Sequence, residues 1–395
     1  MADSTCVILK RGEEKDIFSG HLWIYDNEVE RIDGEVVPGQ IVDVKANNGA
    51  HLGRGYINPK SKILVRLMTR GREEIDHEFI KARLVSAFKY RERLGLYKNE
   101  RSAFRAVFGD ADFLPALVVD KFADCVVIQT LSLGMERFKP DIVDVIREYY
   151  SPRCIYERND VALREKEGLE QQKGVLYGEE PGIVEIEENG IRMLVDIADG
   201  QKTGYFLDQR ENRAAIGPYC KDAEVLDCFC HTGGFALHAA KFGAKSVEAV
   251  DISDTALKMV EQNAALNGFK TITAKEANVF DLLNEYQMQG RMFDTIILDP
   301  PAFCKTKSAL KGAYRGYKEI NLRAMKLIRS GGFLVTCSCS HYMTPDLFMK
   351  MLQDAASDSR RSVRICEIRY QAKDHPISIS ADESLYLKYV ALQII

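Results

Sequence analysis

Asp227-Cys228-Phe229-Cys230-His231-Thr232-Gly233-Gly234-Phe235 carries the chain out of an apolar run, Val225–Phe229, and into a helical stretch, Gly234–Phe242. A strand that passes through paired glycines into a helix lets backbone approach a ligand closely at the helix N-terminus. The spacing is not G-x-G-x-x-G, and no lysine follows the glycines as it would in a phosphate loop. A dinucleotide or phosphate site is therefore disfavoured.

Outward from this turn, Ser246–Asp251, Thr271–Ala274, Thr295–Asp299 and Phe333–Cys337 read as further short apolar strands. Asp254–Asn267 and Tyr317–Ile328 are helical segments between them. Strands alternating with helices predict a parallel sheet covered on both faces, an α/β Rossmann-like domain over residues 199–395.

In such a sheet the ligand sits beyond the carboxyl ends of the strands. The second strand ends in Asp251, eighteen residues past Gly233. A carboxylate there can accept both hydroxyls of a ribose. Ile252 follows, and Ser253 or Asp254 caps the next helix. The third strand leads to Asn278-Val279, whose amide can meet an adenine edge, and the fourth ends in Asp299-Pro300-Pro301. In order, these resemble the motifs of class I S-adenosylmethionine-dependent methyltransferases. The resemblance implies S-adenosyl-L-methionine as cofactor, held by Asp227, Phe229, Thr232, Gly233, Gly234, Asp251, Ile252, Ser253, Asn278, Val279, Asp299 and Pro300.

Two chemistries fit the reactive centre. Asp299-Pro300-Pro301-Ala302-Phe303 is close to the motif with which amino-methyltransferases hold an exocyclic amine, but Ala302 separates the prolines from the aromatic ring. Alternatively Asp299 assists a cysteine nucleophile from Thr336-Cys337-Ser338-Cys339-Ser340. Carbon 5 of a pyrimidine is a poor nucleophile until a thiolate adds to carbon 6, and a cysteine thiolate is accessible near neutral pH. A third reading, an RNA-binding module that keeps the cofactor fold without catalysis, would be expected to erode the strand-end residues, which are intact.

The run Gly200-Gln201-Lys202-Thr203-Gly204-Tyr205-Phe206-Leu207-Asp208-Gln209-Arg210, with Asp227–Gly234, Asp299–Phe303 and Ser338-Cys339-Ser340, resembles the bacterial 23S rRNA large-subunit methyltransferase I family of cytosine-C5 enzymes. The resemblance covers nearly the whole chain. It implies a PUA-like RNA-binding barrel over residues 1–72, a central α+β domain (strand-strand-helix-strand-strand) over 73–198, and the catalytic domain over 199–395. By position, Cys339 matches the nucleophile and Asp299 the assisting acid, while Phe206, Asp208, Gln209 and Arg210 would line the cofactor. Many RNA cytosine-C5 enzymes outside this family carry a second cysteine directly after the two prolines. Ala302 stands there, and Cys304 lies two residues on, so product release uses another base or an unusual geometry.

The N-terminal patterns agree with that division. Ile41–Lys45 and His51–Ile57 flank the turn signal Asn47-Asn48-Gly49, and Ile63–Met68 is a further strand. Residues 77–97 show helical periodicity through Ile80, Leu84 and Phe88. Phe104–Phe108, Ala116–Asp120 and Cys125–Leu131 read as strands, the last two joined at Lys121–Asp124. Phe138–Tyr150 reads as a helix, Cys154–Glu157 as a strand, and Ile183–Glu187 with Ile191–Ile197 as a hairpin.

The chain has 395 residues, 46% hydrophobic and 28% charged, a globular composition too long for one core. No apolar run is long enough to span a bilayer and the N-terminus lacks a signal peptide pattern, so a cytoplasmic protein with no membrane partner is expected. Ten cysteines include two C-x-C pairs, Cys228/Cys230 and Cys337/Cys339, spaced too tightly for the usual zinc knuckle, and no metal is expected. Net charge is −4, so any nucleic acid must be bound by local patches. Val44–Arg72 holds seven Lys/Arg and no acid, Lys81–Arg105 eight against two, and Lys305–Arg329 eight against one. Arg54, Lys60, Lys62, Arg66, Arg91, Lys305, Lys307 and Arg315 are the candidate contacts to rRNA. A homodimer is left open.

Overall fold

The hairpin anticipated at Asn47-Asn48-Gly49 pairs Ile41–Lys45 with His51–Ile57 in antiparallel register, in a computed structural model that describes residues 5–395. It is the centre of a six-stranded sheet in the order Trp23–Tyr25, Ile63–Thr69, His51–Ile57, Ile41–Lys45, Cys6–Leu9, Val29–Asp33. Val7, Leu9, Ile24, Val42, Val44, Ile57, Val65 and Leu67 form its core.

A second sheet follows in the order Gln172–Gly178, Cys154–Asn159, Cys125–Thr130, Leu117–Phe122, Ala103–Phe108. Helices His77–Arg93 and Lys139–Tyr150 bury Ile80, Leu84, Phe88, Ile142 and Ile146 in the same core as Val119, Val126 and Ile128 of its strands. The anticipated end of a strand at Asp120 is corrected. Lys121 and Phe122 stay extended because they pair with Phe104 and Ala103, and the turn shrinks to Ala123-Asp124. The edge strand Gln172–Gly178 was not anticipated; its polar residues and two glycines give no apolar alternation. A separate two-stranded sheet joins Ile183–Glu188 to Ile191–Asp196 through Asn189 and Gly190, both with positive φ.

The chain divides into two compact units. The first comprises Met1–Ile186, Val195–Leu207 and Lys373–Ser384, so both larger N-terminal sheets lie in it. The second comprises Glu187–Leu194, Asp208–Ala372 and Leu385–Ile395. Among the described residues no helix is long and apolar enough to cross a membrane.

The second unit is built on a seven-stranded sheet. We number its strands β1 (Glu224–Cys228), β2 (Ser246–Asp251), β3 (Ile272–Glu276), β4 (Phe293–Leu298), β5 (Ile328–Ser338), β6 (Val363–Arg369) and β7 (Lys388–Ile394). Its helices are α1 (Gly234–Lys241), α2 (Asp254–Leu266), α3 (Val279–Gln289), α4 (Leu310–Leu327) and α5 (Pro345–Ser359). The spatial order is β3-β2-β1-β4-β5-β7-β6. The first five strands are parallel, and β7 runs antiparallel to both neighbours.

Strand residues alternate strictly between two cores. Leu226, Cys228, Ile296, Leu298 and Leu334 join one with α3, α4 and α5. Val225, Ile297, Val335 and Cys337 join the other with α1 and α2. The sequence reading assigned neither α3 nor α5, and no strand after Cys337. Asn278 precedes α3 and caps it, its side chain accepting from Phe280 N at 2.9 Å. α5 carries a legible start, a Thr344 cap before Pro345.

Candidate active site

Strand order reverses between β1 and β4, so a ligand crevice belongs outside their carboxyl ends. The loop leaving β1 turns sharply there. Phe229, His231 and Gly233 all adopt positive φ, at 63°, 50° and 88°. A Cβ on Gly234 would lie 2.6 Å from Arg213 Nε. Glycine at 234 is thus required by close packing, and it presents bare backbone at the start of α1.

Asp251 closes the second side of this loop. Its Oδ2 accepts from His231 N at 2.9 Å and its Oδ1 from Ser253 N at 3.0 Å. Two backbone donors fix the carboxylate plane while each oxygen keeps acceptor capacity for a hydroxyl. Ser253 caps α2 through Ala256 N, and Ile252 is exposed beside it. Asn278 is exposed with its oxygen committed to the cap of α3, so its amide N–H groups take no part in that cap.

Asp227 is fully buried and no well-aligned hydrogen bond reaches its oxygens among the described residues, although the Ala236 backbone N–H of α1 and the Arg213 guanidinium act to favour its charged form. Burial, reinforced by the carboxylate of Asp299, holds its carboxyl well above the usual carboxylate range. A buried polar group left unsatisfied costs roughly 1–3 kcal/mol. An orphaned acid beneath a glycine turn, with a fixed carboxylate at the neighbouring strand end, fits a ligand that brings hydrogen-bond donors and positive charge. S-adenosyl-L-methionine, with its ammonium, sulfonium and ribose, is such a ligand.

Beyond β4, Asp299 accepts from Gln209 Nε2 at 2.9 Å. Gln209 is buried and in turn accepts from Asn212 Nδ2 at 2.7 Å. Asp208 is buried with its Oδ2 accepting from Tyr386 OH at 2.6 Å. Arg210 is buried too, its carbonyl accepting from Asn189. Gln209 thus fixes Asp299 at the end of β4. Phe206 lies in the first unit, half-buried, with the Lys202 ammonium 4.4 Å from its ring centroid.

The cysteines at the end of β5 differ. Cys337 is fully buried in the core with Val335 and Tyr389, and burial pushes its thiol well up. Cys339 lies just past the strand, half-buried, its Sγ 3.9 Å from the carbonyl oxygen of Pro300. Cys304 is buried and turns its thiol to the Thr306 carbonyl at 3.1 Å. Phe303 packs among Tyr317, Phe280 and Phe229 at centroid distances of 4.6, 5.9 and 6.4 Å. Lys388 and Tyr317, not singled out from the sequence, both bond Ser340, the residue after Cys339, and Tyr386 gives its carbonyl to Lys388. A lone lysine opening the apolar run Lys388–Ile394 was the available signal.

The candidate RNA contacts separate by burial. Lys60, Lys62, Lys305, Lys307 and Arg315 are exposed. Arg54 is half-buried and paired with Asp43 at 3.1 Å. Two assignments are corrected. Arg66 is buried against Glu167 at 3.0 Å, and Arg91 is fully buried against Asp112 at 2.6 Å, so neither guanidinium is open to a phosphate.

Comparison with known proteins accords with this geometry. A PUA-like domain family matches residues 7–70, and an S-adenosylmethionine-dependent methyltransferase family matches residues 160–376. The ribosomal RNA large subunit methyltransferase I of Tolumonas auensis is 43% identical over 99% of this chain and 100% of its own length. That of Aeromonas salmonicida is 44% identical over 98% of each. A Streptococcus mutans chain named as a SAM-dependent methyltransferase superposes with a TM-score of 0.84 over the whole of both chains at 20% identity, which speaks to fold alone. With its orphaned Asp227, its glycine turn and its near-complete alignment to these relatives, the chain belongs to the ribosomal RNA large subunit methyltransferase I family of S-adenosylmethionine-dependent methyltransferases.

Proposed function

We propose that this enzyme methylates C5 of a cytidine in 23S rRNA through a covalent bond to Cys339, and that it works in the cytoplasm. The observation that carries the reading is the half-exposed Cys339 thiol beside the Asp299-Pro300 loop, while Cys337 and Cys304 are buried. The relatives' name supplies the large-subunit rRNA.

Bound S-adenosyl-L-methionine supplies an electrophilic methyl group. Asp251 holds the ribose hydroxyls, the Gly233-Gly234 backbone admits the methionine portion, and Asp227 meets positive charge there. Phe229, Thr232, Ile252, Ser253, Asn278, Val279 and Pro300 wall the same crevice. Asp299 stands at N3 of the cytosine, its plane fixed by Gln209. The Cys339 thiolate adds to C6, which pushes the C5–C6 electron pair toward C5 and N3. C5 takes the methyl group as the methyl–sulfur bond breaks, its electron pair going to the sulfur to leave the neutral thioether S-adenosyl-L-homocysteine. A base then removes the C5 proton, the double bond re-forms and the C6–S bond breaks, returning the thiolate. Exposed Lys60, Lys62, Lys305, Lys307 and Arg315 hold rRNA phosphates, and the target base is unstacked to reach the thiol.

RNA carrying 5-fluorocytidine at the target tests the chemistry. The fluorine cannot leave as a proton, so the adduct should persist and migrate with the protein on a denaturing gel. Cys339→Ala should abolish both adduct and methylation while cofactor binding stays nearly intact. Full methylation by Cys339→Ala would overturn the C5 assignment. An amino-methyltransferase would instead form no adduct and depend on Phe303, which is here packed among three other rings.

A further inference from the structure

β5 and β7 pair antiparallel with Ser338 opposite Lys388. The lysine therefore stands beside the residue that precedes Cys339. Its Nζ donates to the carbonyl of Ser340, the residue that follows, at 2.7 Å, and to the carbonyl of Tyr386 at 2.7 Å. Ser340 is itself held, its Oγ taking Cys304 N–H at 3.2 Å and lying 2.9 Å from Tyr317 OH. Lys388 is 2% exposed, and among the described residues no carboxylate pairs with it. Lys388 thus stands opposite the residue before Cys339 and bonds the carbonyl of the residue after it, with its ammonium held by two carbonyls.

We propose that Lys388 is a positioning residue for Cys339: its buried charge favours the thiolate over the thiol and so prepares the nucleophile before RNA arrives. This rests on the nucleophile reading of Cys339 above. Burial pushes Lys388 down to about 8, and the nearby Cys339 sulfur acts in the opposite sense. Such an effect is mutual, since an anion that favours the ammonium is itself favoured by it. The titratable groups that surround the pair are Cys337 on β5, Tyr317 on α4, Cys304 and Asp299 after β4, Tyr386 and Tyr389 at β7, and Asp208 bonded to Tyr386. Lys388 is buried too deeply to touch a nucleobase, so it is not the base that takes the C5 proton.

Alkylation of the full-length protein by iodoacetamide over pH 6–10, read cysteine by cysteine by peptide mass spectrometry, tests the proposal without RNA. Cys366, exposed on β6, serves as the internal reference. Cys339 should reach half its maximal rate about one pH unit below Cys366. Lys388→Met should move Cys339 upward by about one unit and slow its alkylation at pH 7 about tenfold. Cys366 should not move, and Lys388→Arg should keep most of the wild-type profile. An unmoved Cys339 profile in Lys388→Met would overturn the proposal. Should that variant fail to fold, a wild-type Cys339 profile at or above that of Cys366 overturns it equally. Loss of the C5 reading is a separate result, since Cys339→Ala methylation decides it whatever the alkylation profile.

Discussion

In the first unit Arg66, Arg91 and Arg164 are buried against Glu167, Asp112 and Glu136 at 3.0, 2.6 and 2.8 Å, and buried Asp120 meets Arg105 at 2.7 Å. At the strand ends of the second unit, Asp227 and Lys388 are as deeply buried, yet no ion pair of theirs is found among the described residues. The contrast is not between whole units. Lys121 in the first lies over the rings of Tyr97 and Tyr150, and Arg213 in the second pairs with Glu188 at 2.7 Å. It is between scaffold and site. A buried pair satisfies itself and is expensive to break from one side. Asp227, whose carboxyl burial holds toward its neutral form, and Lys388, held by two backbone carbonyls, have no such pair to lose.

The largest expected effect lies in the scaffold. Arg91→Met would strand Asp112, and the backbone carbonyls of Arg105 and Asp374 would lose their donor. A cost of about 3–5 kcal/mol is expected in urea unfolding. A loss below about 1 kcal/mol would show that this pair is no more structural than the unpaired groups.

Asp227→Asn should give a smaller change of opposite sign. The folded state raises the pKa of this carboxyl, so above the unfolded value near 4 the folded protein keeps a proton that the unfolded chain has shed. The contribution of Asp227 to stability therefore falls as pH rises. Asparagine does not titrate, so the variant should be more stable than wild type by roughly 1 kcal/mol at pH 8 and lose that advantage toward pH 4. Calorimetric affinity for S-adenosyl-L-methionine should fall. A variant that unfolds as easily as Arg91→Met would place Asp227 in the scaffold.

Smallest of all is the effect of reversing Lys60 and Lys62 to Glu. Both are exposed, so stability should be unchanged. RNA binding should weaken, and its salt dependence should flatten by about 0.7–0.9 in log–log slope for each phosphate no longer neutralised. An unaltered slope would return these lysines to an ordinary solvated surface. Charge reversal at Arg66 would instead probe its pair with Glu167.

The sequence by itself determined the α/β sheet of the second unit, the glycine turn after β1, the acids at the ends of β2 and β4, and the cysteine past β5. These are local signals: a strand's apolar run, a turn's need for glycine and the residue type at a strand end can all be read within a few positions. The hairpins at Asn47–Gly49 and Asn189-Gly190 were legible for the same reason. Tertiary structure decided which basic residues are surface and which are struts, because Arg91 and Lys60 look alike until Asp112, 21 residues away in the chain, is brought to the guanidinium. It also separated buried Cys337 from half-buried Cys339, and it brought Lys388 beside the segment that carries Cys339. Lys388 is 48 residues from Ser340 in sequence, and only the antiparallel register of β7 on β5 places its ammonium on that carbonyl. Burial and charge pairing depend on contacts between distant segments, and these have no period in the sequence to read.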